Sequence, residues 1–324
     1  MNIRKLLSAA AASVMAMSLL CSCGQSGVLR LGTGNTGGNY YSYGTLLHEL
    51  DENGIEVKKT AGSQANLRLM NEGFIDMAIV QSDVLSEAVN GVGDFENEPV
   101  SGVRAVAGLY DEAFQIVVRS KSDINSIADL KGKKISVGDE GSGVAKNAEY
   151  LLLSAGVAFS SVEPVYMSYS DSAAALESGD IDGTPATVVS ELAESTDIRI
   201  IAPDSRTIEY MLNIYKGYSE ITIPAGTYHG QDEDIPTIGV KAVLVADSDT
   251  DRQQIKDITA LLFGKSSSIK YSVAVPEPDT EFAVSDIPCS FHQGAADHYA
   301  SVGITVSTDP ENDGNSFIFG AQDN

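Results

Sequence analysis

Apolar residues follow two alternating rhythms along the chain. Short continuous runs predict buried strands: Val28–Leu31, Ile55–Thr60, Met77–Val80, Val103–Tyr110, Phe114–Arg119, Ile135–Gly138, Asp197–Ile201 and Pro236–Ala246. Between them the spacing turns helical. Tyr43, Leu46, Leu47 and Leu50 share one face of Tyr40–Leu50, and Leu67 and Met70 share one face of Ala65–Asn71. Ser82-Asp83 is a helix start, and Val144–Ala155, Asp171–Ser178, Thr207–Tyr215 and Asp251–Phe263 complete the helical set. This order predicts an α/β protein of mainly parallel sheets flanked by helices.

The chain has 324 residues, enough for two domains of about 150. No Pro/Ser-rich linker and no repeat divides it. Two domains without a linker are expected to be joined by strands that cross between them, with Leu109–Val118 and Pro236–Leu244 as the crossover candidates. One lobe would then be discontinuous, residues 28–112 plus 243–324, and the other would be 113–242.

The first residues read as an address. Arg4 and Lys5 precede an apolar run from Leu6 to Leu20, shorter than the about 20 residues a spanning helix needs. Leu20-Cys21-Ser22-Cys23 resembles a bacterial lipobox, so residues 1–22 would be a signal peptide and Cys23 the lipidated first residue. That places the mature chain outside the cytoplasmic membrane, or in the periplasm, tethered by lipid. Removing 22 of 324 residues leaves 302, and losing Arg4 and Lys5 takes the net charge from −24 to −26.

The balance of 21 basic to 45 acidic residues excludes a generic nucleic-acid binder, which needs a basic face. Beyond Cys23 only Cys289 remains, so no internal disulfide holds the exported domain. Cys289 precedes His292 by three residues. The pair reads either as a nucleophile with its base or as a buried small hydrophobe beside an unrelated His.

Glycine loops carry most of the candidate chemistry. Gly32-Thr33-Gly34-Asn35-Thr36-Gly37 has the spacing of a dinucleotide fingerprint, but the next strand ends in Lys58-Lys59-Thr60 where a ribose-binding acid is required. Gly264-Lys265-Ser266 lacks the upstream glycine of a phosphate loop. No cofactor is expected. What recurs is a loop of Gly and small polar residues opening a helix, at Asn35–Tyr40, Gly62–Asn66 and Gly141–Gly143. Free N–H groups at helix starts attract anions, and such loops sit at the carboxyl ends of strands where ligands bind. A small carboxylate suits them.

Several of these runs together resemble the TAXI proteins, solute-binding subunits of one class of TRAP transporters. They are Leu31–Tyr41, Gly62-Ser63 with Asn66–Leu69, Gly73–Asp83, Ile127–Lys134, Gly138–Gly143, Ile223–Thr237 and Pro288–Ala295. The resemblance covers residues 28–300 in order. It implies a two-lobed periplasmic-binding-protein fold of type II-like organisation that closes on glutamate, 2-oxoglutarate or a similar carboxylate. It implies a monomer that delivers the ligand to a membrane permease of the TRAP type. Carried over by position, Thr36, Gly37, Gly38, Tyr40, Ser63, Asn66 and Gln81 would contact the ligand from the first lobe, and Ser142, Gly143 and Thr187 from the second. The family commonly has Gly-Ser-Gly-Thr-Arg where this chain has Gly141-Ser-Gly-Val144-Ala145, which removes a hydroxyl and a cation. The second lobe also departs at Thr184-Pro185-Ala-Thr187.

Two acidic or catalytic readings stay open. Gln231–Asp234 is either a solvated loop or a cation site, without calcium-loop spacing. An exported enzyme or sensor lobe acting on a small carboxylate is the alternative to a binding subunit. It would need a nucleophile–base pair or a metal cluster, and His48, His229, His292 and His298 are scattered without metal-ligand spacing.

Overall fold

The computed structural model describes residues 27–51, 53–185, 197–215, 217–269 and 277–312. The signal segment, Cys23 and Thr187 lie outside the described residues. Two sheets with separate cores make two lobes. The first sheet contains β1 (Leu29–Gly32), β2 (Ile55–Lys58), β3 (Met77–Gln81), β4 (Val103–Ala113), β10 (Tyr218–Ile223) and β11 (Ile235–Asp247). The second runs β7 (Glu163–Tyr166), β6 (Lys134–Gly138), β8 (Gly183–Pro185), β5 (Ile116–Arg119), β9 (Ile198–Ile201).

Helices α1 (Asn39–Leu50), α2 (Ser63–Asn71) and α3 (Ser82–Asn90) follow β1, β2 and β3. Helices α4 (Gly143–Ser154) and α5 (Tyr169–Ser178) follow β6 and β7, and α6 (Ser205–Ile214) follows β9. Helices α7 (Arg252–Gly264), α8 (Ser266–Ile269), α9 (Thr280–Val284) and α10 (Gln293–Ser301) return to the first lobe. Among the described residues no helix is long and apolar enough to cross a membrane.

Local chemistry explains the helix starts. Ser142 Oγ accepts from Ala145 N (3.1 Å), Asp204 Oδ1 from Thr207 N (2.7 Å) and Asp251 Oδ1 from Gln254 N (2.9 Å). Each satisfies a donor the helix cannot pair internally. β3 is buried at every position, as expected of an inner strand covered on both faces.

The sheets are mixed rather than mainly parallel. β1 pairs parallel with β2 and β3, and β6 with β7 and β8. β11 runs antiparallel to β3, β4 and β10, and β5 runs antiparallel to β8 and β9. The reason lies in the crossings. A strand that leaves one lobe and re-enters the other arrives in the opposite sense to strands delivered by helical crossovers.

β11 spans both lobes. Its first half pairs with β10 and its second half with β3, while β4 follows its other edge. Val243–Ala246 belong to the first core, with Leu31, Leu47, Leu67 and Ile79. Ile238 belongs to the second, with Val118, Val137, Leu151 and Met211.

Candidate functional site

The carboxyl ends of β1, β3 and β6 meet at a narrow crevice between the lobes, of about 50 Å³. Gly38, Tyr40, Ser63 and Gln81 line it from the first lobe, and Asp139, Ser142 and Gly143 from the second. The starts of α2 and α4 therefore face each other across it. Gly62, just before α2, has φ +115°, a backbone region that side chains disfavour. That turn aims the α2 N-terminus at the other lobe, where Ala65 N donates to Gly141 O (3.3 Å).

Gln81 is the centre of the crevice. Its backbone N–H donates to Ser63 Oγ (3.0 Å), and its Nε2 donates to Glu112 Oε2 (2.7 Å). Its Oε1 accepts from Asn147 Nδ2 (3.0 Å), which reaches over from α4. A second link between the lobes runs from Asn35 Nδ2 to Asp139 Oδ2 (2.7 Å). Close packing completes the closure, because a Cβ added to Gly143 would fall on the Gln81 side chain.

Beside the crevice a buried polar latch joins α3 to α4. The Lys146 ammonium donates to Glu87 and to Asp94 Oδ2 (2.7 Å). Tyr150 OH donates to Glu87 Oε1 (3.0 Å), and Tyr218 OH donates to Asp83 Oδ2 (2.5 Å). Burial pushes the Asp83 carboxyl up to about 6, against the hydrogen bond from Tyr218. Lys146 follows the Gly141–Gly143 loop by three residues, and the latch engages its ammonium.

Among the described residues lining the crevice there is no Lys, Arg or His, and Glu112 and Asp139 are its acids. Burial raises Glu112 to about 7, while the hydrogen bond from Gln81 pulls the other way. Burial, with Glu112 beside it, drives the Tyr40 phenol well above its ordinary value. The positive electrostatic features the crevice presents are therefore main-chain N–H groups at helix starts, not charged side chains.

The residues expected to bind ligand are divided by the structure. Gly38, Tyr40, Ser63, Gln81, Ser142 and Gly143 come together in the crevice. Thr36 and Gly37 are exposed on the first loop, outside its lining. Asn66 is fully buried behind it, and its Nδ2 donates to Thr33 O (2.7 Å) and Ile79 O (2.9 Å). That amide ties the first glycine loop to β3.

Glu112, Asn147 and the latch were not legible as site residues. One signal was present: Asp111-Glu112 interrupts the long apolar strand β4. An acid pair placed there needs a reason. Lys146, Asn147 and Tyr150 fall on neighbouring positions of one turn and the next of α4, the face turned toward α3.

The remaining candidates acquire structural roles. His292 Nδ1 accepts from Gly294 N (3.1 Å), which leaves Nε2–H to donate to Thr250 O (3.1 Å). With both ring nitrogens on main chain it starts α10 and is not placed as a base, and Cys289 is buried. Gln231–Asp234 closes the turn between β10 and β11. Gln231 Nε2 donates to Glu233 O (2.7 Å) and Pro224 O (3.0 Å), and Asp234 Oδ1 accepts from Ala225 N (2.8 Å).

Solved structures share the architecture. PhnD1 of Prochlorococcus marinus, determined with methylphosphonate, superposes with a TM-score of 0.51 at 13% identity, over 79% of this chain and 94% of that one. A protein of Bordetella bronchiseptica RB50 gives 0.50 at 19% identity, over 87% and 83%. The alkanesulfonate-binding protein SsuA of Xanthomonas axonopodis pv. citri, bound to MOPS, gives 0.46 at 17%, over 76% and 79%. At these identities the first two speak for the fold alone. A family model matches residues 31–303. The chain belongs to the NMT1-like family.

Proposed function

We propose that this chain is an extracytoplasmic solute-binding protein that closes its two lobes on a small carboxylate. The carrying observation is the convergence of two helix starts, Gly62-Ser63 and Ser142-Gly143, on one crevice between lobes. Partial positive charge at both starts would hold the carboxylate, with Gln81 and Tyr40 supplying further polar contacts. Ligand that touches both lobes favours the closed arrangement by its differential affinity for it. The permease would read that closed form. A TRAP-type permease, a glutamate-like or 2-oxoglutarate-like ligand and a lipid tether at Cys23 follow from the sequence motifs and form part of the same proposal.

The test is a thermal-shift panel of dicarboxylates and amino acids on the mature chain, with recovery and mass analysis of the bound molecule. A binder raises the melting temperature with the logarithm of ligand excess and returns the ligand unchanged. Turnover of a panel member, or no shift with any of them, sinks the proposal.

A further inference from the structure

Five polar side chains form one hydrogen-bonded chain where the lobes meet. Asp83 Oδ2 lies 2.5 Å from the Tyr218 hydroxyl oxygen, whose other neighbour is Asn147 Oδ1 (2.9 Å). Asn147 Nδ2 meets Gln81 Oε1 (3.0 Å), and Gln81 Nε2 meets Glu112 Oε2 (2.7 Å). Asp83, Gln81 and Asn147 are buried. Asn147 stands on α4 of the second lobe, whereas the other four stand on α3, β10, β3 and β4.

With both end carboxyls ionised, the chain is one hydrogen short. Its four links need four hydrogens. The Tyr218 hydroxyl has one, and each amide, joining one link through oxygen and the next through nitrogen, supplies one. Where Asn147 and Gln81 donate toward Glu112, Tyr218 must donate to Asn147, and the missing hydrogen is a proton on Asp83. Where Tyr218 donates to Asp83, both amides must turn over, and the proton sits on Glu112. The two arrangements are one array with the same proton at opposite ends.

The surrounding charges do not replace that proton. Facing Asp83 are Glu87 on its own helix and Lys146 and Tyr150 on α4, and Lys146 is held by Glu87 and Asp94. Facing Glu112 are Tyr40 on α1, Asp83, and Asp111 beside it in β4. Lys241 on β11 gives its ammonium to Phe282 O (3.1 Å), Ser285 O (2.7 Å) and Ser285 Oγ (3.0 Å). Burial raises both end carboxyls, Asp83 to about 6 and Glu112 to about 7. We propose that closure of the lobes captures one proton, shared along this chain by Asp83 and Glu112. Withdrawing Asn147 leaves two links, Tyr218 to Asp83 and Gln81 to Glu112, and both are complete without the extra hydrogen. The proton then returns to solvent, so rising pH favours the open lobes. The inference rests on the closing of two lobes and not on the chemistry of the ligand.

The test counts protons released on unfolding, from the pH slope of the urea unfolding free energy of the mature chain between pH 5.5 and 8.5. Asp83→Asn and Glu112→Gln keep the shape of each end and supply the fourth hydrogen permanently. Each should remove the same proton, up to one per molecule, and the double variant should remove no more than either. Asn147→Leu cuts the chain at its second-lobe member and should also lose that proton. Losses that add in the double variant mean two independent carboxyls and overturn the inference, as does a slope changed by one end variant alone or by neither. A proton retained in Asn147→Leu overturns the tie to closure. Carboxyl carbon-13 shifts of the wild-type chain give a reading that no variant can spoil by misfolding. At pH 6.5 they should show one protonated carboxyl between Asp83 and Glu112, and none or two would overturn the shared proton.

Discussion

An ideal Cβ at Gly143 would stand 2.0 Å from Gln81 Oε1 and 3.1 Å from Ser63 Oγ. The start of α4 in one lobe thus rests directly on the end of β3 in the other, and the absence of a side chain is what allows it.

Gly143→Val should hold the lobes apart. Its backbone does not need the left-handed region, so α4 itself should form. Small-angle scattering should show a larger radius of gyration than wild type, with unchanged helix content by circular dichroism. A wild-type radius of gyration would mean that Gln81 simply swings aside.

The latch should behave as a buried ion pair. Lys146 and Glu87 have side chains only 7% and 2% exposed. Lys146→Met leaves Glu87 without its cation and should cost about 3–5 kcal/mol in urea unfolding. The double change Lys146→Met with Glu87→Leu should recover most of that, because the desolvated charges are then both gone. Failure to recover would place the loss in packing rather than charge.

Asn66→Ala should cost stability more than affinity. It leaves Thr33 O and Ile79 O without their donor, a loss of about 1–3 kcal/mol. Ser142→Ala should cost about 1 kcal/mol through the lost cap of α4. Titration calorimetry on fully folded samples separates the two effects. A large affinity loss for Asn66→Ala with unchanged unfolding would return Asn66 to the ligand's immediate surroundings.

Glu112 should make stability fall as pH rises. Its folded carboxyl titrates at about 7, against an ordinary 4.5. Below 4.5 both folded and unfolded chains hold the proton. Between 4.5 and 7 only the folded chain holds it, so each pH unit upward costs up to about 1.4 kcal/mol. Asp83, raised to about 6 from 3.8, acts in the same direction over a lower window. Urea midpoints of wild type and Glu112→Gln, measured from pH 4.5 to 8, should therefore converge toward low pH. Parallel curves would show that Glu112 is ionised throughout.

The helices of the first lobe were legible because their apolar faces repeat at the helical period. β3 was legible because all five of its residues are buried. β10 was not, because Tyr218–Ile223 exposes Ser219, Glu220 and Thr222 and gains its place from pairing with β11, a long-range contact that no local pattern carries. The same holds for the site. Glycine loops announce themselves in sequence, whereas Asn147, Glu112 and Lys146 matter through partners 66, 31 and 59 residues away. Asn66 was expected beside the ligand from its position in the resemblance, whereas its inward hydrogen bonds to Thr33 and Ile79 depend on tertiary packing that no local pattern carries.

Because β11 contributes Ile238 to one core and Val243–Ala246 to the other, neither half of the molecule owns all of its own interior. Heat should therefore melt both halves in one calorimetric transition. The segment from Ile116 to Ile201 expressed alone would lack the strand its side chains were shaped to meet. Exchange of ligand preference between relatives is expected to proceed by changes at the crevice rim, not by swapping a whole lobe.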